Sequence, residues 1–114
     1  MRRAAKIDDN HREIVKAFKK AGAAVLDIHT LPNCCDIAIA YKNVTVMVEI
    51  KDGSKVPSAR KLTPGELAFK EYWAASGGKW ALVETIGDVL GLIGSITSNT
   101  KMLLESKQRA LGYE

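Results

Sequence analysis

Apolar residues recur at helical spacing near the start of the chain. Ile14, Ala17, Phe18 and Ala21 follow the i, i+3, i+4, i+7 rhythm of a buried face, while Arg12, Lys16, Lys19 and Lys20 fall on the opposite side. This pattern predicts a first helix over about 9–21, capped by Asp8 or Asp9 and ended by Gly22. Asn10 and Glu13 sit at the edge of its apolar stripe. Three short runs come next, at 24–29, 35–41 and 44–51, and read as strands; the second and third are rich in Ile and Val. In the first, Leu26 and Ile28 are expected inward, with Asp27 and His29 on the other face. A polar loop over 52–62 separates the third strand from Thr63-Pro64-Gly65-Glu66. That tetrad is a helix start: Thr caps, Pro takes the first helical position, and Glu returns to the cap. The second helix runs to about 75, with Phe69 and Trp73 expected to share a buried face. A fourth strand at 79–84 would lie parallel to the third through this helical crossover. Thr85 is expected to cap a short helix to about 93, and a last helix over 100–111 carries Leu103, Leu104 and Leu111. Gly87, Gly91 and Gly94 form no phosphate-binding pattern and read as positions of close packing.

The order is helix, three strands, helix, strand, then extra helices: a mixed α/β domain. A chain of 114 residues supports one domain over 1–114, with a core at about 8–86 and a helical extension at 87–114. Composition excludes two classes. With 46% hydrophobic and 26% charged residues the chain is not disordered. No apolar run approaches the ~20 residues of a membrane span. The first residues, Met-Arg-Arg-Ala-Ala-Lys, lack the apolar stretch of a signal peptide, so the expected compartment is cytoplasmic. Cys34 and Cys35 are adjacent, and neighbours on a strand point to opposite faces, so no disulfide is expected between them. Cys35 should face the core.

Charge is unevenly spread. Residues 1–61 hold 12 basic and 7 acidic side chains, against 5 and 6 in residues 62–114. The basic half suggests an anionic partner, most often nucleic acid.

That half also contains the informative hairpin. If Lys42-Asn43 is a two-residue loop, paired residues have numbers summing to 85. Ile37, Ile39, Val46 and Val48 then form one aliphatic face. On the other, Asp36 lands opposite Glu49, and Lys51 points the same way. Two carboxylates about 5 Å apart repel by about 3 kcal/mol at an effective dielectric near 20. Protonation of one, or a cation between them, relieves this; oxygen ligands suit Mg²⁺ or Mn²⁺. Exposed acids at strand ends are also common, and a slip of one residue would separate the pair. The residues alone leave both readings open.

Asp36, twelve residues, then Glu49-Ile50-Lys51, after a helix bearing Glu13, resembles the PD-(D/E)xK nuclease superfamily. The segments Asn10–Val15, Asp36–Tyr41, Val48–Gly53 and Lys61–Pro64 look more narrowly like the virus-type replication-repair nuclease (VRR-NUC) family. The resemblance implies a restriction-endonuclease-like core, a divalent metal (Mg²⁺ or Mn²⁺) and cleavage of DNA phosphodiesters in replication, recombination or repair, in a viral or prophage setting. Carried over, Asp36 and Glu49 would be metal ligands with the Ile50 carbonyl as a third. Lys51 would position water or steady the transition state, and Glu13 would complete the acidic cluster. Glu66 stands where the family often has Gln, although its capping box with Thr63 supplies a purely local role. The loop residues Lys55, Ser58, Arg60 and Lys61 border this site and suit phosphate contacts. His11 and His29 are potential bases or ligands, but lone histidines in such places are usually structural or solvent-facing. By analogy with small nucleases that resolve four-way junctions, branched DNA is the expected substrate and a homodimer the expected assembly. The competing reading is a catalytically idle module that binds DNA or protein on the same fold.

Overall fold

The computed structural model describes residues 8–110, with side chains described over 8–99. The N-terminal Met-Arg-Arg-Ala-Ala-Lys segment and the side chains of Leu103, Leu104 and Leu111 lie outside the described residues.

Helix α1 (His11–Lys20) opens the fold. Ile14 and Phe18 are buried on the expected stripe. The cap is Asn10 rather than Asp8 or Asp9, and its side chain makes no cap hydrogen bond. The helix end obeys the sequence signal: Gly22 has φ +98, with Gly22 N–H bonding Lys19 O and Ala23 N–H bonding Phe18 O.

Strands β1 (Ala24–Asp27), β2 (Ile37–Tyr41), β3 (Val44–Ile50) and β4 (Trp80–Val83) form a sheet in the order β1-β2-β3-β4. β1, β2 and β3 run antiparallel in turn, and β4 is parallel to β3. The β2–β3 register is the expected one, from Tyr41↔Val44 to Ile37↔Val48. Lys42 and Asn43 both have positive φ, which is the geometry of the two-residue hairpin turn matching strand twist.

One sheet face carries Ile37, Ile39, Val46, Val48, Ile50 and Val83, all buried against Ile14 and Phe18 of α1 and Val89 and Ile96 of the last helix. Cys35 is buried as expected. β1 is turned over relative to expectation. Asp27 pairs with Ile37 and so lies on the core-facing side, where it meets α1, while Leu26 is 64% exposed. Val25 packs against the core on that side, and Asp27 meets His11 there.

Helix α2 (Pro64–Ala75) begins with the full capping box: Glu66 N–H bonds Thr63 Oγ1 and Thr63 N–H bonds Glu66 Oε1. It lies on the other sheet face, with Lys70 Nζ 4.7 Å from the Trp80 ring centre. None of its residues is fully buried. Phe69 and Trp73 stack on each other at 5.7 Å but stay half-buried, so they are not core residues.

The chain then forms one continuous helix, α3 (Ile86–Ala110), in place of the two expected. Its start is fixed by Thr85 and Asp88, which bond reciprocally. No Pro interrupts it, and Gly91 and Gly94 carry on in helical geometry. A Cβ at either would meet nothing within 4 Å, so close packing does not explain these glycines.

Candidate active site

The ladder between β2 and β3 ends at Ile37↔Val48, and the pairing beyond that point is irregular. Asp36 N–H bonds Val48 O at 3.2 Å, so it shares the level of Ile37 instead of facing Glu49 squarely. Its carboxylate reaches across and accepts the Ile50 N–H at 2.7 Å. Strict opposition of Asp36 and Glu49 is thus replaced by a bulge-like offset that still aims both carboxylates into one cleft.

That cleft, of about 210 Å³, is lined by Asp36, Glu49, Glu66, Thr63, His29 and Cys34, among others. Glu49 is only 3% exposed. Burial raises its pKa most, helped by the Glu66 carboxylate and the Asp36 charge, up to about 10. With three carboxylates converging, one must hold a proton unless a cation replaces it. Lys51 does not fully compensate Glu49. Its Nζ is 3.9 Å from Glu49 Oε1 but 2.9 Å from Glu66 Oε1 and 3.2 Å from Oε2. Burial alone would lower the Lys51 pKa, but Glu66 and then Glu49 outweigh it and hold the ammonium above its ordinary value. Burial likewise works to raise Glu66, yet hydrogen bonds from Glu49, Thr63 and Lys51 keep it low. Glu66 therefore caps α2 and anchors Lys51 at once; the two roles weighed from sequence are compatible.

Backbone geometry holds Lys51 in place. Its N–H bonds Val83 O at 3.1 Å, and its carbonyl accepts from Asn10 Nδ2 at 3.1 Å. The same Asn10 amide reaches Glu84 O at 3.0 Å, tying the start of α1 to the ends of β3 and β4. Gly53 permits this convergence: a Cβ there would lie 3.0 Å from Glu84 O and from Thr85 Cγ2. Ile50 buries its side chain in the core, which leaves its backbone carbonyl as its only donor for a cation.

Glu13 does not line this cleft. It is exposed and borders a second one with Asp9, Asp52, Ser54 and Glu84. The acid near the cluster from this end of the chain is Asp8, whose pKa is raised by burial, against the pull of Lys51, and by the Asp36 charge. In the sequence Asp8 is only a cap candidate, because an acid just ahead of a helix carries no other signal.

The basic loop divides. The 3-10 turn Pro57–Arg60 holds Ser58, which is exposed. Arg60 Nη1 bonds Glu84 Oε2 at 2.9 Å, so it bolts the loop to the end of β4. Lys55 Nζ lies 3.4 Å from Asp9 Oδ2, a loose pair in which Asp9 is 82% exposed. Lys61 is exposed.

No protein-family model matches the sequence, and no curated protein does. In structure, the chain is similar to a solved VRR_NUC domain, with a TM-score of 0.57 at 22% identity, over 75% of this chain and 95% of the other. The helix, mixed four-stranded sheet and crossover helix thus have the fold of that domain, as the sequence resemblance implied.

Proposed function

We propose that this protein is a Mg²⁺- or Mn²⁺-dependent deoxyribonuclease that hydrolyses phosphodiester bonds in replication, recombination or repair. One observation carries the reading: a buried Glu49 grouped with Asp36 and Glu66 in one cleft, with Lys51 fixed beside them. Folding does not require three carboxylates there, and an all-oxygen donor set with a surplus of negative charge fits a hard divalent cation. Asp36, Glu49 and the Ile50 carbonyl would hold it. When bound, such a cation acidifies a water ligand and neutralises charge on the phosphate. The chain's own contribution is positioning. Asp36 is oriented by the Ile50 N–H, and Glu49 is shielded from bulk water. Lys51, anchored by Glu66, offers an N–H toward the oxygen on which charge grows. Lys55, Ser58 and Lys61 are the candidates for contacting flanking phosphates. The acidic contribution from the first helical region falls to Asp8 in place of Glu13.

The test is cleavage of end-labelled single-stranded, duplex, flap and four-way DNA with Mg²⁺, Mn²⁺ or chelator. Metal-dependent cutting by the wild type, lost in Glu49→Ala and Lys51→Ala, is expected. Cutting that survives Glu49→Ala would remove the assignment. Salt-sensitive binding without cutting would favour the idle binding module. We extend the proposal to a homodimer that prefers branched DNA, since a branch-selective enzyme needs two sites facing two strands. Light scattering showing a monomer, on free and on four-way DNA, would remove that extension.

A further inference from the structure

A second group of metal-type donors adjoins the carboxylate cleft, sharing only His29 with its wall. His11 opens α1, Asp27 ends β1, and His29 lies two residues later. His11 Nε2 is 2.9 Å from Asp27 Oδ2, and His29 Nδ1 bonds Asp27 Oδ1. One donor atom from each residue lies within 4.8 Å of the other two. The rings meet edge to face, with centres 5.5 Å apart at 66°. Tetrahedral coordination at 2.0–2.1 Å places ligand atoms ~3.3 Å apart, so small side-chain shifts close this set on one ion. His11 is only 4% exposed, and its Nδ1 has no hydrogen-bond partner among the described residues.

We propose that His11, Asp27 and His29 form a binding site for a zinc-class transition metal, separate from the hard-cation site. Two imidazole nitrogens and one carboxylate select Zn²⁺, Co²⁺ or Ni²⁺ over Mg²⁺. The fourth position opens to water, because the Asp27 side chain is 45% exposed and that of His29 26%. On binding, the ring nitrogen facing Asp27 would give its lone pair to the metal, with the ring proton on the other nitrogen. Asp27 supplies the anionic ligand, as an aspartate is ordinarily ionised at neutral pH. The ion would pin the first turn of α1 to the edge strand. It would also fix His29, which lines the wall of the carboxylate cleft.

The test is titration of untagged, chelator-stripped protein with Co²⁺ and then Zn²⁺. One equivalent of Co²⁺ should give the visible d–d absorption of a low-coordinate site. Zn²⁺ should abolish the band, and a large excess of Mg²⁺ should leave it. His29→Ala, at a partly exposed position, should weaken Zn²⁺ binding by roughly tenfold or more and remove the zinc-dependent rise in melting temperature. His29→Gln repeats the test with a side chain closer in size. The band should persist in Cys34→Ser and in the double variant Asp36→Asn/Glu49→Gln. No band in the wild type, a band retained in both His29 variants, or a band lost in Cys34→Ser or in the double variant would overturn the site.

Discussion

Glu49 concentrates the electrostatic tension of the molecule. In the folded chain it keeps a proton up to about pH 10, whereas the unfolded chain releases it near 4.5. Between those values the folded state binds the extra proton, so this residue's contribution to stability falls as pH rises. Glu49→Gln removes the penalty. In chelator, the variant should melt above the wild type at pH 8, with the gap shrinking toward pH 5. Saturating Mg²⁺ should reverse the order at pH 8, because binding only the folded wild type stabilises it. A gap that does not change between pH 5 and pH 8 would remove the buried proton from the account. Arg60 and Lys61 are neighbours with different expected roles. Arg60→Ala breaks a half-buried ion pair with Glu84 and should cost about 1 kcal/mol in urea unfolding. Lys61→Ala should leave stability unchanged and lower the salt slope of DNA binding by about 1. Equal effects of the two variants on both measurements would contradict this division.

Among the elements, the hairpin and α2 were legible because local chemistry fixes them. Lys42-Asn43 takes the twist-matching turn, and Thr63 with Glu66 closes a capping box that needs no tertiary partner. The parts that were not legible depend on distant contacts. The face of β1 goes with two distant contacts, Val25 on the core and His11 bonded to Asp27, sixteen positions away. The offset at Asp36 comes from its carboxylate taking the Ile50 N–H, which no alternation pattern encodes. Asp8 feels the charges of Lys51 and Asp36, which sequence spacing does not encode. The continuity of α3 past residue 93 carries no local signal of its own: the stretch 94–99 is mostly polar and glycine-containing, and it stays helical. Two glycines of α3 also make a prediction. Gly91 and Gly94 lie on exposed helix surface with free space around them. Gly91→Ala and Gly94→Ala should each stabilise the protein by about 0.5–1 kcal/mol, read from urea midpoints at constant slope. Destabilisation by either would mean that an unseen surface packs against α3.

Across the whole molecule, burial is unequal on the two sides of the sheet. α1 and α3 share the core with Ile37, Ile39, Val46, Val48 and Ile50, whereas α2 buries no residue fully and leaves Leu67 44% and Tyr72 73% exposed. α2 is held mainly by polar and ring contacts: Glu66 to Lys51, Trp73 Nε1 to Lys79 O at 3.0 Å, and Lys70 over Trp80. Opening free energies track buried apolar contact, so the crossover helix belongs to the weak end of the structure. This couples the site to local stability, because Glu66 belongs both to the α2 cap and to the Lys51 anchor. Amide exchange should therefore be fastest in α2 among the regular elements over 8–99, and slowest in β2 and β3. Glu66→Ala should speed exchange in α2 several-fold, while β2 and β3 change only as far as global stability falls. Mg²⁺ should slow exchange in α2 of the wild type more than in the variant, since a cation held by Asp36 and Glu49 would attract the Glu66 carboxylate that the variant lacks. If α2 exchanges as slowly as β2 and β3, its hold on the sheet is apolar after all, and Glu66 contributes only a cap.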